Sequence, residues 1–88
     1  GYSLNQIFTL NQIDFRNNKI QRLDFNFTIY FQSLEIIYLM QNQIFFISEF
    51  VFDNVKNLKI LDLSENNLFE ISNLDLTKFK YIESLDLS

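Results

Sequence analysis

Three aspartates, Asp14, Asp62 and Asp86, fall at multiples of one interval along the chain. Carboxylates at a regular interval are the raw material of a cation site or of a contact for a basic partner. A calcium cage needs roughly six to eight oxygen ligands, and a pair of monodentate carboxylates supplies few of them. The expectation is therefore a solvated acidic face, with the basic-partner contact as its functional alternative. Other chemistry is excluded by residue type. With no His and no Cys, Ser-His triads, zinc centres and thiol nucleophiles cannot be built. The single Gly stands at position 1, which rules out a glycine-rich phosphate loop. No catalytic, metal or cofactor residue is expected in this chain.

A second candidate is apolar. Ile36, Tyr38 and Met40 alternate along the longest apolar run, which spans the five residues Ile36–Met40. In a strand such alternate side chains share one face. Ile60 follows Ile36 at the interval that separates Asp62 from Asp86, and would join them from the next copy of the pattern. Asp62 falls beside them from that copy, and Asp14 and Arg16 from the copy before. Greasy residues on an outward sheet face have no packing reason to be there, and Tyr and Met are enriched in protein interfaces. These seven residues are the candidate partner contact: Ile36, Tyr38, Met40, Ile60, Asp62, Asp14 and Arg16.

The element that would position them is a repeat. Leu58, Leu61, Leu63, Asn66, Leu68 and Ile71, moved back 24 positions, land on Leu34, Ile37, Leu39, Asn42, Ile44 and Ile47. Another step lands on Leu10, Ile13, Phe15, Asn18, Ile20 and Leu23, and Ile82, Leu85 and Leu87 open a further copy. A fixed period of this length marks a solenoid, in which each unit buries its apolar face only against its neighbours. The alternation in Leu61-Asp62-Leu63-Ser64 reads as a short strand. One strand per unit has no partner within that unit, so stacked units must pair their strands in parallel. Strands are expected to centre on residues 12–16, 36–40, 60–64 and 84–87. Leu10, Ile13, Phe15, Asn18, Leu34, Ile37, Leu39, Asn42, Leu58, Leu61, Leu63, Asn66, Leu68 and Ile71 are the expected core. Asn18, Asn42 and Asn66 stand where the chain leaves the strand. An amide both donates and accepts, so they are expected to form a structural ladder that satisfies turn backbone.

Composition supports this architecture and narrows the partner. The absence of Pro, and of Gly beyond position 1, disfavours tight hairpin turns. A net charge of −4, with basic residues scattered singly, argues against nucleic acid, which calls for clustered Lys and Arg. The apolar run at Ile36–Met40 falls far short of a membrane span.

The pattern LxxLxLxxNxL, followed by xxL and a later F-x-x-L, resembles the leucine-rich repeat family in its typical 24-residue class. The resemblance covers a partial repeat at 1–9, repeats at 10–33, 34–57 and 58–81, and a partial repeat at 82–88. Phe15 and several isoleucines replace leucine, and the Pro and Gly often found in the convex segment are missing. The family implies an α/β solenoid: a right-handed coil with a short parallel sheet on its concave face and a mostly irregular convex side. It implies a non-enzymatic recognition module that binds a protein or other macromolecular ligand on that concave face. Polar caps are lacking at both ends, so an interior piece of a longer protein, with further repeats or caps on either side, is expected. Repeats of this class resemble those of extracellular Toll-like receptors and of secreted immune or adhesion proteins, which implies an extracellular or cell-surface setting. An intracellular scaffold in the cytoplasm, or the substrate-binding arm of an enzyme whose catalytic domain lies elsewhere, is the alternative. Asn26-Phe27-Thr28 matches the N-glycosylation acceptor pattern and leans towards secretion.

Overall fold

The structure is a computed structural model that describes residues 11–24, 28, 31–48, 50–68 and 76–88. Leu10, Ile71 and the acceptor Asn26 lie outside the described residues. Four three-residue strands, β1 (Gln12–Asp14), β3 (Ile36–Tyr38), β5 (Ile60–Asp62) and β6 (Ser84–Asp86), form one sheet in the order β1-β3-β5-β6. Every pair is parallel, and every register step is one full repeat, as in Ile13↔Ile37, Ile37↔Leu61 and Leu61↔Leu85. The backbone carbonyls of Asn11, Glu35 and Lys59 open each ladder. Each accepts from two successive amides of the next repeat, such as those of Lys59 and Ile60 at 2.7 and 2.9 Å from Glu35 O. Among the described residues, parallel strands in one sheet with little helix are compatible with a leucine-rich repeat solenoid.

The strands are shorter than the expected spans. Further ladder bonds follow β1, β3 and β5, from the amides of Phe15, Leu39 and Leu63 to the Tyr38, Asp62 and Asp86 carbonyls, and from those of Asn17 and Gln41 to the Met40 and Ser64 carbonyls. The chain then bends away at Asn17, Gln41 and Glu65, whose φ angles are 60°, 59° and 56°. A left-handed residue cannot continue a strand, and its recurrence at one repeat position ends β1, β3 and β5 alike.

A second ladder was not foreseen from the alternation. β2 (Arg22–Leu23) and β4 (Phe46–Ile47) pair in parallel, Arg22 with Phe46 and Leu23 with Ile47. The expectation had only core side chains here, after the turn. Each segment is two residues long, too short to show a period of two.

Between the ladders lies the core. Leu34, Ile37, Leu39, Ile44, Val55, Leu58, Leu61 and Leu63 are fully buried. Val51 and Phe52 are buried beside them, and Phe52 meets Phe79 edge-to-face with centroids 5.8 Å apart. Thr28, at the repeat position of Phe52, is buried too, its hydroxyl donating to the Val51 carbonyl. That bond is what lets a polar side chain stand in an apolar wall.

Four expected core residues depart from full burial. Phe15 is 39% exposed, Asn18 is exposed, and Asn66 and Leu68 are half-buried. Their equivalents in the middle repeat, Leu39, Asn42 and Ile44, are all buried. For Phe15 and Asn18 the cause is position along the stack, since among the described residues β1 pairs on one side only; β5, which precedes Asn66 and Leu68, pairs on both. A repeat residue is enclosed by the units on both of its sides.

Candidate functional site

The outward positions of the four-stranded sheet line up in columns. Gln12, Ile36, Ile60 and Ser84 share one register, and Asp14, Tyr38, Asp62 and Asp86 share the next. Ile36, Tyr38, Met40, Ile60 and Asp62 are half-buried, whereas Asp14 and Arg16 are exposed. The alternation of strand side chains sends Ile37 and Leu61 inward and leaves Tyr38 on the other face. Tyr38 therefore stands between Asp14 and Asp62 in its column.

Its neighbours are ordered. The Arg16 guanidinium lies 6.0 Å from the centroid of the Tyr38 ring, within range of a cation–π contact. The same guanidinium pairs with Asp14, Nη2 to Oδ2 at 2.9 Å. Asp14 thus fixes the cation that borders the tyrosine. On the other side Asp62 Oδ1 accepts from the Ser64 amide at 3.0 Å and from its hydroxyl at 2.7 Å. Asp86 repeats the device with Ser88, at 3.0 and 2.6 Å. The Ser88 hydroxyl, and secondarily its amide, hold the Asp86 carboxyl below the usual carboxylate range. Each of these carboxylates closes a local turn with one oxygen. Among the described residues no cluster of three or more acidic ligands is assembled for a metal.

The asparagines hold this face in register. Asn42 donates to its own repeat at Leu39 O (2.9 Å) and Met40 O (3.3 Å), and to the preceding repeat at Phe15 O (3.1 Å). Its Oδ1 accepts from the Ile20 amide at 3.2 Å. Asn66 does the same one repeat on, donating to Leu63 O, Ser64 O and Leu39 O and accepting from the Ile44 amide at 2.9 Å. The contacts run from side chain to backbone, so successive asparagines are linked through shared carbonyls such as Leu39 O. Among the described residues Asn18 makes only the local bonds, to Phe15 O and Arg16 O.

Two features here were not singled out from the sequence. The Glu35–Lys59 pair, 3.0 Å apart, runs along the edge where each strand begins. The hydrogen bond to Glu35, with its charge, raises the Lys59 pKa. The only sequence signal was opposite charge at one repeat position. On the β2–β4 side, Arg22 covers the Phe46 ring at 4.5 Å while pairing with Asp24 at 2.8 Å. That stacking depends on the second ladder and had no signal of its own.

A family model for the leucine rich repeat matches residues 32–88. Comparison with curated proteins, and with solved structures, returned no match.

Proposed function

Since this chain belongs to the leucine-rich repeat family of protein-interaction repeats, we propose that it is a non-enzymatic recognition module whose open sheet face binds a macromolecular partner. In this reading the repeats 10–33, 34–57 and 58–81 wind as a right-handed coil with the sheet on the concave side. The partner is a protein, and the setting is an extracellular receptor or a secreted immune or adhesion protein. The typical repeat class and the acceptor triplet at Asn26 support that setting.

The observation that carries the proposal is the surround of Tyr38. An aromatic side chain with a polar tip stands between Ile36 and Met40, faces Ile60 diagonally, and is bordered by the Arg16–Asp14 pair and by Asp62. Interface hot spots have this anatomy: an aromatic anchor ringed by polar groups that exclude water. The bordering groups are already held by internal bonds, so docking orders few side chains.

A photoreactive phenylalanine analogue at position 38 tests this in cells that make the protein. It should cross-link to the partner, whereas the same analogue at position 45, an exposed aromatic site off this face, should not. With the cross-linked partner purified, Tyr38→Ala should weaken binding by about 2 kcal/mol and leave the thermal melt unchanged. A partner captured from position 45 and not from 38 overturns the proposal.

A further inference from the structure

The half of the molecule away from that face carries a hollow. It opens between the turn that contains Asp53 and the short 3-10 helix Leu76–Lys78 of the following repeat, with a volume of about 500 Å³. The buried Phe52 ring contributes to its wall, and Tyr81, 58% exposed, lines it as well. Three of the chain's seven basic residues, Lys56, Lys78 and Lys80, line it against the single acid Asp53. Lys78 pairs with Asp53. Lys56 and Lys80 occupy the same repeat position in successive units, and both line the hollow. Among the described residues neither has an ion pair. In a chain of net charge −4, this is where positive charge collects among the described residues.

We infer that this hollow is a second binding site, for an acidic peptide segment of a protein partner. Lys56 and Lys80 would receive its carboxylates, and Tyr81 and Phe52, which also line the hollow, would take an apolar side chain. The preference for peptide over a polyanionic glycan rests on the rest of the lining. The Asn57 amide can both donate to and accept from a peptide unit. The Asp53 carboxylate can accept a peptide N–H, yet would repel a polymer charged at every unit. Lysine ammoniums are mobile point charges, suited to carboxylates at variable spacing.

The test uses the whole chain and two synthetic fluorescent peptides. One alternates Glu with Phe, and the other is identical with Gln in place of Glu. Fluorescence anisotropy at low salt should show binding of the acidic peptide only, and raising the salt should abolish it. The double variant Lys56→Gln with Lys80→Gln should weaken binding about tenfold, the scale of two exposed charge contacts. The exposed Lys19→Gln should leave it unchanged. Tyr38→Ala should also leave it unchanged, which separates this site from the sheet face. The double variant alters two exposed residues, and its circular-dichroism melt should match that of the unaltered chain. Equal binding of both peptides, indifference to the double variant, or selective binding of a sulfated glycan in place of the acidic peptide would each overturn the inference.

Discussion

Asn42 is the residue on which the stacking of two repeats can be tested most directly. Replacing it with leucine keeps the volume close and removes the amide. Four hydrogen bonds disappear, but the groups left behind are not equally harmed. Leu39 O still accepts from Asn66, Phe15 O from Asn18, and Met40 O from the Asn17 amide. The Ile20 amide has Asn42 Oδ1 as its partner and is stranded in a half-buried place. One orphaned backbone donor costs about 1–3 kcal/mol, and this dominates the expected loss. Against a total stability of about 4–13 kcal/mol for a chain of this size, that is a large fraction. Asn18→Leu removes only local bonds at an exposed position, and about 0.5 kcal/mol is the expected cost. Asn42→Asp is the sharper probe. It keeps an acceptor for Ile20 but turns a second carboxylate oxygen towards the Leu39, Met40 and Phe15 carbonyls. The new carboxyl should then have a folded-state pKa above its unfolded value. A protonated carboxyl supplies an O–H donor, so the variant's deficit should shrink as pH falls from the folded pKa to the unfolded one. Urea denaturation of the unaltered chain and all three variants, with matching m-values, gives the answer. An Asn42→Leu loss no larger than that of Asn18→Leu refutes the account, as does an Asn42→Asp deficit that does not change with pH.

Glycine at the left-handed positions Gln41 and Glu65 should stabilise the chain by up to about 1 kcal/mol each, since relief of the Cβ clash outweighs the added chain entropy. Asn17→Gly should gain less, because asparagine tolerates that region; equal gains at all three sites in a denaturant melt would show that the backbone angle is not the cause. Ser88→Ala should raise the Asp86 pKa towards the ordinary carboxylate range, as followed by NMR titration. Because the folded pKa is depressed, the associated stability is present above the unfolded pKa and lost as pH falls through the folded one; an unmoved titration would remove Ser88 as the cause.

The parallel sheet and its register were legible in the sequence because a solenoid repeats its environment. Ile13, Ile37, Leu61 and Leu85 recur at one interval, and the same interval separates their paired positions in the sheet. Likewise, the alternation about Tyr38 sufficed to assign it to the outward face, since a strand's period of two admits only one answer once Ile37 and Leu39 are inside. What the sequence could not rank was the individual copies of a position. Ile20, Ile44 and Leu68 look equivalent on paper, yet only Ile44 is fully buried, because enclosure depends on the units packed on both sides. The β2–β4 pairing and the stacking of Arg22 on Phe46 also emerge only when one turn lies on the next. The lysine-lined hollow is the clearest case. In sequence Lys56 and Lys80 are two scattered cations in an acidic chain. The stacking of one repeat on another brings both to the lining of one hollow, because it turns a whole repeat of chain into a single step through space.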